Sequence, residues 1–249
     1  MMHLRRITFI LLVLAAAGCP KRAQLVSRPQ DAQQAIDQAS DDMEAKRYRQ
    51  AEERFTFIIF NFPGSRQASD AQYYLAETYF RSKDYLQAQN EYDFYVRSFP
   101  NGRFQEEATY KLAVSYLLSA PGHVRDQARA LKAREIVDSF LETYPDSPLR
   151  PEAEQLRGEI GERLALREFD AARIYYTSGE YKSALVYYNY VNENYPAAQW
   201  PGMERYRFAV CLIETADTSR ARVVLSELVT GEYEPTVMNL ARAALARAN

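Results

Sequence analysis

Histidine and cysteine are almost absent from this chain. Its 249 residues contain only His3, His123, Cys19 and Cys211. A zinc site built from several nitrogen and sulfur ligands is excluded at that count, and so is a disulfide-braced scaffold. Glycine is scarce too, and the nine present form no phosphate-cradling loop. His-Glu-x-x-His, Cys-x-x-Cys and Gly-x-Ser-x-Gly patterns are missing as well. No nucleophile–base constellation remains, so neither catalysis nor a cofactor is expected. The paired carboxylates Glu52-Glu53 and Glu106-Glu107 are expected on solvated helix faces or at helix N-termini. Lys and Arg number 31 against 33 Asp and Glu, with no basic block, which argues against nucleic acid as a partner. No apolar run reaches the ~20 residues of a transmembrane helix.

The longest such run is Ile7 to Ala17, preceded by Arg5 and Arg6. A short apolar stretch behind a positive flank reads as a signal peptide. It ends in Ala16-Ala17-Gly18-Cys19, which resembles a bacterial lipobox, with Ala16 where leucine is usual. That resemblance implies cleavage after residue 18 and acylation of Cys19, which would tether the chain to a membrane by lipid. An ordinary cleaved signal with an incidental cysteine is the plainer alternative. Residues 19–30, with Pro20, Lys21, Arg22, Ser27 and Pro29, read as an extended tether. With Cys19 acylated, Cys211 has no disulfide partner. It lies in the apolar run Phe208 to Ile213 and is expected to be a buried thiol.

What the chain does have is self-similarity. Phe62-Pro63-Gly64-Ser65 returns as Phe99-Pro100-Asn101-Gly102, Tyr144-Pro145-Asp146-Ser147 and Tyr195-Pro196-Ala197-Ala198. Upstream of three of these stand Tyr48-Arg49-Gln50-Ala51, Tyr85-Leu86-Gln87-Ala88 and Tyr181-Lys182-Ser183-Ala184. Each unit reads as two helices. The first carries a small residue at Ala39, Ala76, Ala113, Ala172 and Ala209, in steps of 37, 37, 59 and 37. The second pairs alanine with a residue four later: Ala51/Phe55, Ala88/Tyr92, Ala133/Val137, Ala184/Tyr188 and Ala221/Leu225. Residues four apart share a helix face, so the small one admits a neighbouring helix and the large one fills the adjoining gap. Proline then stops the second helix. Phe55 to Phe62 could pass as a strand by composition, but its position makes it the end of a helix.

This pattern resembles the tetratricopeptide repeat, a helix-turn-helix unit. The resemblance implies an all-α, right-handed superhelical solenoid of about five repeats; four and six remain open. Repeat three carries an insertion from about Ser119 to Gln127, which holds His123. Repeat four has a long first helix from near Pro151 to about Thr177, and Pro235 opens a C-terminal capping helix that ends near Arg247. In that family the first helices line a groove. The positions facing it would hold Tyr73, Glu77, Phe80, Arg81, Tyr110 and Val114, together with Ile36, Met43, Leu117, Phe169, Tyr176, Tyr206 and Ile213. These would make an aromatic peptide channel in which Arg81 could pair a carboxylate. The same residues equally suit packing between repeats.

Ala133-Arg134-Glu135-Ile136-Val137, Phe140-Leu141 and Tyr144 to Ser147 are similar to the BamD (YfiO/ComL) family of outer-membrane assembly lipoproteins. So is the stretch from Arg163-Leu164-Ala165 through Tyr175-Tyr176-Thr177 to Tyr181-Lys182-Ser183-Ala184. The resemblance implies a lipid anchor at Cys19 in the bacterial outer membrane, facing the periplasm. It implies N-terminal repeats over 31–148 that contact unfolded outer-membrane proteins. It further implies C-terminal repeats and cap over 149–249 that dock on the barrel-inserting subunit. Where family members often carry a basic residue in the second helix of repeat four, this chain has Tyr187-Tyr188-Asn189-Tyr190. The alternative is an envelope scaffold lipoprotein of the Tol–Pal-associated or motility-complex kind, although no sustained heptads occur.

Overall fold

The computed structural model describes residues 31–120 and 127–248. The signal segment, Cys19, the tether and His123 lie outside the described residues. The described chain forms eleven α-helices and no strand. They fall into five pairs: α1 (Ala32–Glu44) with α2 (Tyr48–Asn61), α3 (Arg66–Arg81) with α4 (Tyr85–Ser98), and α5 (Gln105–Ser119) with α6 (Ala128–Thr143). Next come α7 (Arg150–Thr177) with α8 (Tyr181–Asn194), and α9 (Gly202–Glu214) with α10 (Thr218–Thr230). α11 (Pro235–Arg247) closes the stack on α9 and α10.

Each helix packs on the next in sequence. First helices also touch one another: α1 with α3, α5 with α7, α7 with α9, and α9 with α11. Second helices do not meet each other to a comparable extent. The stack therefore bends with the first helices inside. The arrangement is a tetratricopeptide solenoid of five repeats and a cap.

The contacts are set by the alanines named above. All ten, two in each repeat, have zero exposure. Their large partners Phe55, Tyr92, Val137, Tyr188 and Leu225 are also fully buried. Buried side chains form one large cluster from Ala113 to Ala221 across repeats three to five. Smaller clusters join repeats one to two and two to three, and another seats α11. Cys211 is buried as expected, and burial pushes its thiol pKa up to about 12.

Two kinds of turn repeat along the stack. After each of α2, α4, α6 and α8 the cap residue precedes a proline: Phe62, Phe99, Tyr144 and Tyr195. The proline ring disfavours helical geometry in the residue before it. All four caps accordingly sit near φ −126°, −126°, −122° and −131° with positive ψ. Each cap carbonyl then accepts a hydrogen bond from the amide three residues on: Ser65, Gly102, Ser147 or Ala198.

Between the helices of a pair the chain instead turns left-handed, at Lys46, Lys83, Gly179 and Ala216. The amide after each reaches back five residues, as from Arg47 to the Asp42 carbonyl (2.8 Å) and from Asp217 to Leu212 (2.8 Å). The left-handed residue's own amide donates to the carbonyl three back, as from Lys46 to Met43 (3.0 Å) and from Ala216 to Ile213 (3.0 Å), and the two bonds together are the Schellman termination of a helix. Only one of these four positions is glycine, although a left-handed residue with a Cβ costs about 1–2 kcal/mol. Ala216→Gly should therefore stabilise the protein by about 0.5–1 kcal/mol. Gly179→Ala, where a Cβ would meet no atom within 4 Å, should cost about 1 kcal/mol for backbone strain alone. Urea denaturation followed by circular dichroism checks both, and shifts of the same sign would refute the account.

Candidate functional site

The inner face begins with the first helices of repeats one to three, where α3 supplies four of the six predicted groove residues. They do not form one open lining. Tyr73 is buried, stacked on Phe104 with ring centroids 4.1 Å apart and packed against Tyr92 and Tyr95. Burial, followed by the nearby carboxylates Glu77 and Glu107, raises its pKa, so it stays a neutral phenol. Glu77 is buried too, whereas Phe80 is half-buried and Arg81 exposed. Tyr110 and Val114 are half-buried and pack against the cluster shared by repeats three to five. The structure thus brings Glu77, Phe80 and Arg81 together, places Tyr73 in the core, and leaves Tyr110 and Val114 one repeat away.

Glu77 is the centre of this group. Its carboxylate accepts a hydrogen bond from the Tyr92 hydroxyl. It also pairs with Lys111 Nζ at 3.1 Å and Arg81 Nε at 3.3 Å. Lys111 stands 4.5 Å above the Phe80 ring centroid, a cation–π contact. Arg81 reaches Glu44 at 2.7 Å with its other arm. The carboxylates paired by Arg81 are therefore the protein's own. Burial alone would raise the Glu77 pKa, but Lys111, Tyr92 and Arg81 together outweigh it and hold the group below its ordinary value.

The C-terminal half carries a counterpart. Glu204, in the first turn of α9, is buried. It accepts from Tyr188 at 2.9 Å and pairs with Arg207 and, at 3.4 Å, with Arg173 of α7. The first helices are thus linked in sequence by charge. Glu44–Arg81 joins α1 to α3, Glu77–Lys111 joins α3 to α5, and Arg173–Glu204 joins α7 to α9. At the remaining step Arg163 of α7 donates to the Leu117 and Ala120 carbonyls at the end of α5, at 3.2 and 2.9 Å.

The sequence reading missed Lys111, Glu204 and the two tyrosine hydroxyls. A signal existed, because repeats two and four place tyrosine where the others have Phe55, Val137 and Leu225. A buried hydroxyl calls for a polar partner. Glu52 and Glu106, expected to face solvent or favour helix starts, also hydrogen-bond across elements. Glu52 accepts from Tyr79 of α3 at 2.8 Å, and Glu106 accepts from Ser147. Among the described residues no three His, Cys, Asp or Glu side chains form a group that could hold a metal. No described helix is long and apolar enough to cross a membrane.

A family model described as YfiO, outer membrane lipoprotein, matches residues 28–206. No curated protein is similar enough to count as a match. Among solved structures, a thermophilic TPR protein of Thermus thermophilus is similar over 88% of this chain and 98% of its own, at 16% identity and a TM-score of 0.38. A tetratricopeptide repeat protein from Parabacteroides merdae is similar over 87% of this chain and 86% of its own, at 12% identity and a TM-score of 0.40.

Because the pKa of Glu77 is depressed in the folded state, its ionic contribution is present above the ordinary glutamate value, about 4.5. It is lost as pH falls through the lower folded value. Glu77→Gln should therefore destabilise the protein by about 1–3 kcal/mol at neutral pH, since Lys111 and Arg81 lose their shared anion. The difference from the parent should shrink as pH drops below about 4. Urea midpoints measured from neutral pH downward test this; a difference independent of pH would contradict it.

Proposed function

The chain belongs to the YfiO family of outer membrane lipoproteins, and from that premise we propose that it is a non-catalytic, periplasm-facing component of the outer-membrane β-barrel assembly complex. The observation that carries the reading is the family match over residues 28–206, which covers the first four helix pairs and enters the fifth. An acylated Cys19 holds the chain at the outer membrane. The repeats over 31–148 receive an extended segment of an unfolded barrel protein. The repeats over 149–249 dock on the barrel-inserting subunit.

The groove residues take different roles in this proposal. Tyr73 and Glu77 shape the wall from within, since both are buried. Phe80, Arg81, Tyr110 and Val114 retain exposed surface and supply contact. Aromatic and apolar groups give large contact area at low entropic cost. Arg81 is able to exchange its exposed partner Glu44 for the carboxylate of a peptide end.

A fluorescent peptide of alternating apolar and polar residues ending in phenylalanine should bind the protein. Tyr110→Ala combined with Val114→Ser should weaken it about tenfold, equivalent to ~1.4 kcal/mol. Unchanged affinity sinks the groove assignment. Affinity purification of the lipidated protein from membranes should also recover a barrel-inserting subunit. Recovery of peptidoglycan-linked proteins instead would favour an envelope scaffold.

A further inference from the structure

Second helices splay apart on the outer side of the stack, and at the junction of repeats four and five a cavity of about 260 Å3 opens between α8, α9 and α10. Trp200 and Phe208 line it beside Val223 and Val224, with Arg205 and Arg220. Trp200, the chain's single tryptophan, comes from the connection between α8 and α9, residues 195–201. It stacks on Tyr188 at 5.6 Å and meets Phe169 edge-on at 4.8 Å and Phe208 at 5.5 Å. Val223 is 60% exposed at the side.

The two arginines are incompletely used. Arg205 spends only Nη1, on Glu227 at 3.3 Å and the Tyr233 hydroxyl at 3.0 Å. Its Nε and Nη2 make no hydrogen bond among the described residues. Arg220 reaches Asp217 at 3.5 Å and Asn189 at 3.3 Å, and its guanidinium lies 5.7 Å from the Phe208 centroid. Both pairings are long and partly exposed, the class of ion pair that stabilises least. A planar guanidinium with open donors beside an apolar wall is suited to a carboxylate carried on a hydrophobic segment. Its charge also runs against the chain's formal net charge of −2.

We propose that this cavity is a second docking subsite, taking an acidic side chain flanked by apolar ones from a partner protein. The carboxylate pairs with Arg205 and Arg220, while the neighbouring apolar side chain covers Trp200 and Val223. The subsite lies on the outer side, so it does not depend on what occupies the groove. A bare anion would leave the apolar wall exposed, which favours a protein segment over free phosphate.

Trp200 reports on its own site. The full protein is titrated with a blocked Leu-Glu-Leu-Asp-Leu peptide, its Gln/Asn counterpart and inorganic phosphate, following selectively excited tryptophan emission. The acidic peptide should give a saturable change that weakens at least fivefold with the amide peptide. Val223→Glu, at an exposed position, should weaken it about tenfold by adding like charge at the cavity wall, and so should Arg205→Gln with Arg220→Gln. Circular dichroism confirms that each variant is folded. The proposal is overturned by no saturable response, by equal response to the amide peptide or to phosphate, or by folded variants that bind as the parent does.

Discussion

Everything in this molecule rests on ten points where a helix meets its neighbour at an alanine. Only a methyl group stands at each of these contacts, and each is sealed from water. Around them the large residue four positions on fills the remaining space, so closeness and filling are specified by one spacing. Overpacking a contact of this kind costs about 1–3 kcal/mol, and the strain passes to the adjoining repeats because the buried clusters are shared between neighbours.

This explains what was legible in the sequence. The alanine ladder, the proline turns, the 28-residue α7 and the cap at Pro235 were all readable, because each expresses a constraint between residues close in the chain. The ion pairs were not. Glu77–Lys111 and Arg173–Glu204 join residues more than thirty positions apart, and the register between repeats decides which charges meet. A helical period assigns a residue to a face but not to a partner. For that reason Tyr73 and Glu77 read as groove lining and are found buried.

The buried carboxylates show how the inner face differs from an apolar core. Glu77 and Glu204 each accept from a tyrosine that occupies the large-residue position of its repeat. The Tyr92 hydroxyl thereby links the packing centre of repeat two to that repeat's own charges, and the Tyr188 hydroxyl links the packing centre of repeat four to the buried charge of repeat five. Burial would favour the neutral acid at Glu77, and Lys111, the Tyr92 hydroxyl and Arg81 together reverse that preference. A mildly acidic chain thus keeps fixed anions inside, each covered by positive charge at the surface.

The links between first helices are not equally sheltered. Glu44–Arg81 is exposed on both sides, at 68% and 41%, whereas Glu77–Lys111 is covered, at 8% and 23%. Salt screens the first far more than the second. Rising ionic strength therefore weakens the charge link between repeats one and two while leaving the link between repeats two and three largely in place, and repeats one and two are then held by their shared apolar cluster.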